Sequence, residues 1–113
     1  MTGSGGVTLT EELMSWDGVS KHPHRFGGIE FQLNGKEIGH LHGNSLFDLL
    51  STKSERDRWI EEGKAQSHHM FPDSNWVSVY LNSEQDVAHA IEITRYKFER
   101  MQEQQNNKLE GEM

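Results

Sequence analysis

The sequence predicts an α+β domain: a mainly antiparallel sheet built on a central hairpin, packed by a long C-terminal amphipathic helix and shorter helices. Three observations carry this. Asn34-Gly35 separates two runs of alternating hydrophobicity, Ile29–Leu33 and Glu37–Gly43, and this dipeptide accepts the positive φ that a type I′ turn needs. Trp76–Leu81 (WVSVYL) alternates as a strand with two distinct faces. Val87, Ala90, Ile91, Thr94, Phe98 and Met101 recur at three- and four-residue steps, the period of a helix with one apolar stripe. Hairpins without βαβ alternation place the helices largely on one face of the sheet. A chain of 113 residues has material for one core.

Taken in order, residues 1–7 read as a flexible N-terminus, 8–101 as a single α+β domain, and 102–113 as a polar tail expected to be disordered. Thr8 or Thr10 is expected to cap a helix running to about Trp16, stopped by Asp17-Gly18. Val19–His22 reads as a short strand ending before Pro23. In the hairpin, a two-residue loop pairs Leu33 with Lys36, Phe31 with Ile38, Ile29 with His40 and Gly27 with His42. On that register His40 and His42 share the core face with Ile29, Phe31 and Ile38. Gly27-Gly28 suggests a bulge, or a close approach by a backbone or ligand; a bulge would bring Phe26 to the core face.

Asn44 or Ser45 is expected to cap a short helical turn holding Leu46, Phe47, Leu49 and Leu50. Ser54 is expected to cap a surface helix, SERDRWIEEG, ended by Gly63. Ala65–Phe71 reads as extended, a candidate strand, and Pro72–Asn75 as a turn. In the strand that follows, Val77, Val79 and Leu81 share one face, and Trp76, Ser78 and Tyr80 the other. Ser83 caps the last helix, with Asp86 in the capping-box position.

A net charge of −7 disfavours binding to nucleic acid, whose phosphates need Lys and Arg. The absence of cysteine excludes disulfides, thiolate chemistry and Cys-ligated zinc or iron–sulfur sites. The N-terminus lacks the pattern of a secretory signal, and no apolar run approaches the length of a membrane span. A cytoplasmic protein is expected, without a membrane or nucleic-acid partner. A small-molecule substrate and a homodimer remain open as partners.

Seven histidines are scattered through the chain. His40-Leu41-His42 is the sharpest local feature, because H-x-H on a strand puts both imidazoles on one face, roughly 7 Å apart at the backbone. That spacing suits two ligands of one metal, with a third from His68, His69, Asp48 or Glu30. It equally suits two acid/base groups around a small substrate, or two structural histidines bonded to backbone and carboxylates. Arg25 sits at the mouth of the hairpin, suited to a carboxylate or phosphate or to a surface ion pair. Adjacent strand residues point to opposite faces, so only one of His68 and His69 is expected on the His40/His42 side. Trp76 is a pocket wall or core packing, Asp73 a turn former, and His89 a surface residue. No nucleophile elbow, phosphate-binding loop or H-E-x-x-H motif is present, and no motif specifies a cofactor or a reaction.

The segments HRFGGIEF, EIGHLHG, SHHMFPDSNWVSVYL and AHAIEITRYKFER together resemble the small luciferase-domain family, short proteins of bacteria and archaea. The resemblance covers about Trp16–Arg100. It implies that the recurring polar positions are Arg25, Glu30, His40, His42, His69, Asp73 and Trp76, and it favours His69 over His68. Where relatives are expected to read P-x-S-G-W, this chain has Asn75, which tolerates the left-handed conformation. A shared fold does not carry function, so the family's name does not imply light emission. The reading favoured by residues and resemblance is a small-molecule-binding or enzymatic domain. His40, His42 and His69 would line a pocket between sheet and helix as catalytic residues, with His40 or His42 as the proton-transfer group. Arg25, Glu30, Asp73 and Trp76 would contact the ligand. The alternative is a non-catalytic interaction module or homodimer with structural histidines.

Overall fold

The hairpin turn forms where the sequence places it, with Asn34 at φ 52° and Gly35 at φ 87°. The computed structural model describes residues 5–24 and 27–111. In chain order the elements are α1 (Gly5–Met14), β1 (Val19–Pro23), β2 (Ile29–Leu33), β3 (Lys36–His42), β4 (Leu46–Leu50), α2 (Lys53–Glu61), β5 (Gln66–Ser67), β6 (Trp76–Tyr80) and α3 (Glu84–Gly111). The strands make one six-stranded sheet in the order β1-β2-β3-β4-β6-β5, with every pairing antiparallel. This is the α+β class that the sequence predicts.

The hairpin register departs from expectation one step from the turn. Leu33 pairs with Lys36 and Gln32 with Glu37, but Phe31 then pairs with Gly39, Glu30 with His40 and Ile29 with Leu41. One extra residue at Ile38-Gly39 makes a bulge in β3, and a one-residue slip inverts every later side chain. The predicted pairs of Phe31 with Ile38 and Ile29 with His40 are therefore corrected. His40 and His42 lie on the face opposite Ile29 and Phe31. Tertiary packing fixes the bulge. A Cβ on Gly39 would lie 2.6 Å from Phe47 Cζ and 2.9 Å from Asp48 O. Lys97 Nζ, from α3, donates to Ile38 O at 2.8 Å.

Gly27-Gly28 is not a bulge but part of the connection from β1 to β2, so the pairing of Gly27 with His42 is also absent. Gly28 has φ 83° and marks a close backbone approach, since a Cβ there would lie 2.1 Å from Leu41 O. Phe26 lies outside the described residues.

Leu46–Leu50 is a strand rather than the expected helical turn. It lies between β3 and β6, where Phe47 and Leu49 face the core; five residues cannot repay helix nucleation, whereas a central strand bonds on both edges. Helix α1 begins at Gly5, before the expected Thr caps, and Gly6 N donates to Asn44 O at 3.0 Å. Helix α2 is capped by Thr52 rather than Ser54: Thr52 Oγ1 accepts from Glu55 N, and Thr52 N donates to Glu55. It is not merely a surface helix, because Trp59 is buried. Helix α3 continues through the polar segment to Gly111, and Gln105 Nε2 donates to Leu33 O at 3.1 Å.

The core lies on one side of the sheet. Phe31, Leu41, Phe47, Leu49, Val77 and Val79 pack with Leu9 and Leu13 of α1 and with Ala90, Ile93 and Phe98 of α3. No helix among the described residues is long and apolar enough to cross a membrane.

Candidate functional site

On the other side of the sheet, strand pairing sets Glu30, His40, Asp48 and Ser78 in one row across four strands. His42 follows His40 on the same face of β3. Asp48 is fully buried, and such a carboxylate must be hydrogen-bonded or neutralised. Ser78 Oγ donates to its Oδ1 at 2.6 Å. Four imidazoles surround its Oδ2: His42 Nε2 at 3.0 Å, His68 Nε2 at 3.3 Å, His69 Nε2 at 3.4 Å and His40 Nε2 at 3.6 Å.

His68 and His69 both reach Asp48, which corrects the expectation that only one would. The physical reason is that β5 ends at Ser67, so the alternation rule no longer governs the two residues. The expected strand over Ala65–Phe71 is accordingly limited to Gln66–Ser67. The loop that follows is tied by Ser74, whose Oγ donates to Phe71 O at 2.6 Å and accepts from Trp76 N at 3.2 Å.

The rings differ in what holds them. His40 Nδ1 lies 2.8 Å from Glu37 Oε2, and the His24 ring stacks on His40 with centroids 4.3 Å apart. His68 Nδ1 accepts from the backbone N–H groups of Met70 and Phe71, both at 3.1 Å. That acceptor role places the neutral ring's proton on Nε2, facing Asp48. The side chains of His40 and His68 are nearly enclosed, whereas those of His42 and His69 are about one-third exposed, at 34% and 33%.

Electrostatics follow from this packing. Burial of His40 opposes its charged form, but the carboxylates of Asp48 and Glu37 outweigh that and raise its pKa to about 9. Burial alone would raise the Asp48 carboxyl, yet His40, Ser78 and the field of His68 hold it below the usual range. His68 is lowered, chiefly by burial.

A cavity of about 860 Å³ opens over this cluster. Pro23, Met70, Phe71 and Trp76 form apolar wall, while Glu30, Glu37, His24 and the Asp48-centred histidines supply the polar lining. The cavity lies on the face away from the helices, which corrects the expected position between sheet and helix; the bulge in β3 is the cause. Of the residues named from sequence, His40, His42, His69, Glu30 and Trp76 come together here. Trp76 lies 5.2 Å from the His40 ring, centroid to centroid. Asp73 is exposed and does not line the cavity. Arg25 lies outside the described residues. Sequence reasoning missed His24 and Glu37 as lining groups, favoured His69 over His68, and saw Asp48 and His68 only among several third ligands. The alternation within LFDLL was the signal available for Asp48.

Several combinations bring metal-ligand atoms within 4.8 Å of one another: His24, Glu37 and His40; His40, His42 and Asp48; and Asp48, His68 and His69. The family model described as the luciferase domain matches residues 35–97, more than half of the chain, from the hairpin turn into α3. No curated protein and no solved structure matches the chain.

Proposed function

The chain belongs to the luciferase-domain family, and on that premise we propose that it binds a small organic molecule in the histidine-lined cavity and acts on it there. The observation that carries the reading is the convergence of imidazoles on one buried carboxylate at the floor of an apolar-walled space. About 860 Å³ is the size of a ligand pocket, and a mainly apolar wall with a few convergent polar groups is the usual makeup of one. His42 and His69 are the rings open enough to meet a ligand, and His40 stands behind them. Trp76 and Phe71 offer flat surfaces to an aromatic or conjugated body. Arg25, which follows the cavity-lining His24 in the chain, would meet an anionic substituent.

Trp76 gives a direct test. Of the three tryptophans, Trp16 and Trp59 are buried in the core and Trp76 lines the cavity. A screen of small aromatic and anionic compounds, read by tryptophan emission, should find compounds with a saturable signal. That signal should vanish in Trp76→Phe, and the affinity should fall in His42→Ala and His69→Ala. Compounds that bind the histidine variants as well as the wild type, or a screen with no saturable response, would reject the reading.

A further inference from the structure

We propose that His40 Nε2, His42 Nε2 and Asp48 Oδ2 form three ligands on one face of a divalent first-row transition-metal ion. The remaining positions would open to the cavity. The inference rests on reading the cavity as a small-molecule site, and it assigns that molecule a donor atom, such as a carboxylate, enolate or phenolate oxygen, that completes the metal's coordination.

Geometry is the first support. Two ligand atoms each about 2.1 Å from one ion lie roughly 3.0 Å apart at a right angle and roughly 3.4 Å apart at a tetrahedral angle. The His42 and His40 nitrogens lie 3.0 and 3.6 Å from Asp48 Oδ2. One ligand atom from each of His40, His42 and Asp48 lies within 4.8 Å of the other two. Strand register produces this directly: His40 is paired with Asp48, and His42 lies two residues along on the same face.

Proton bookkeeping is the second support. Asp48 Oδ1 is occupied by Ser78, and His68 must present its Nε2 proton to Oδ2 because its Nδ1 accepts two backbone N–H groups. His68 is therefore a donor to Asp48 and not a ligand. One oxygen has too few lone pairs to serve His40, His42 and His69 as well. A cation between Oδ2 and the His40 and His42 nitrogens turns that crowding into coordination, since neutral imidazoles then offer lone pairs in place of protons.

The third support lies behind the ligands. Glu37 lies 2.8 Å from His40 Nδ1. With a cation in place of the Nε2 proton, it would hold the ring's remaining proton on Nδ1 and leave Nε2 to the ion, the carboxylate–histidine arrangement that orients metal ligands. Imidazole and carboxylate together suit zinc, iron, cobalt, nickel or copper rather than magnesium or calcium.

The test uses the full chain without a histidine tag, stripped with chelator and titrated with Zn²⁺ by calorimetry and with Co²⁺ by visible absorption. One ion per chain should bind, with ligand-field bands that are lost in His42→Ala. Glu37→Gln should keep the stoichiometry and weaken binding roughly 10- to 100-fold. A melt in chelator establishes that each variant is folded. Absence of saturable 1:1 binding overturns the inference, as does equal binding by His42→Ala, which would mark adventitious sites on the other histidines. If no metal binds while Trp76 emission still reports a small molecule, the metal inference falls and the small-molecule reading stands. If the metal binds 1:1 and no compound is found, the reverse holds.

Discussion

The two faces of the sheet are made by the same strands under opposite rules. On the helix side, Phe31, Phe47, Leu49, Val77 and Val79 are almost fully removed from water against α1 and α3. Burial of that kind stabilises by about 25 cal/mol per Å² of apolar surface. On the other side, residues one step along the same strands (Glu30, His40, Asp48, Ser78 and Trp76) gather polar groups under a cavity. A buried carboxylate and its imidazoles lose hydration, and their mutual bonds offset the loss only in part. The difference teaches that one face makes the fold and the other is carried by it.

Breaking the helix-side face should have the largest effect. Phe47→Ala is expected to cost about 3–5 kcal/mol, because its ring is fully buried and meets Phe31 with centroids 6.3 Å apart. Each kcal/mol should lower Tm by about 4–8 °C in a domain of this size. A thermal or urea melt checks this; a loss below about 1 kcal/mol would mean that the helix side is not what holds the sheet.

The two faces meet at the bulge, and Lys97 links them. Its ammonium is buried beneath Ile38 O, and burial, with a smaller push from Arg100, lowers its pKa from 10.5 to about 8 against the pull of Glu37 and Glu55. The folded-state value lies below the unfolded one, so between about 8 and 10.5 the unfolded chain binds more protons and stability rises with pH. Measured as wild type minus Lys97→Met, the unfolding free energy should move in favour of the wild type across that window, by at most about 1.4 kcal/mol per pH unit. A flat difference would mean that Lys97 is not charged against its surroundings at neutral pH.

Much of the fold was legible because its signals are local. Asn34-Gly35 sets its own turn, WVSVYL shows both faces of β6, and the stripe from Val87 to Met101 declares α3. The site was half legible. H-x-H correctly put two imidazoles on one face, but the face itself was inverted. Face assignment depends on parity, and one inserted residue at Ile38-Gly39 reverses it. Gly39 inside a strand pattern was the local hint. Its cause is non-local, however: the Phe47 ring and the Lys97 ammonium arrive from other elements. Asp48 was obscured because LFDLL reads as a helical turn until β3 and β6 flank it. His68 joined the cluster only because β5 is two residues long.

The smallest expected effect is the sharpest test of the comparison. With chelator present, His42→Ala/His69→Ala should change stability by no more than about 1 kcal/mol, or raise it. Residues kept for a site rather than for folding are often dispensable to stability. Both rings are one-third exposed, and Asp48 keeps Ser78 and His68 as donors. Without chelator, a 1:1 metal should stabilise the wild type and not the variant, because binding to the native state alone adds RT ln(1 + [L]/Kd). A large loss in chelator would instead make these imidazoles part of the folding unit. The two faces would then differ in chemistry but not in purpose.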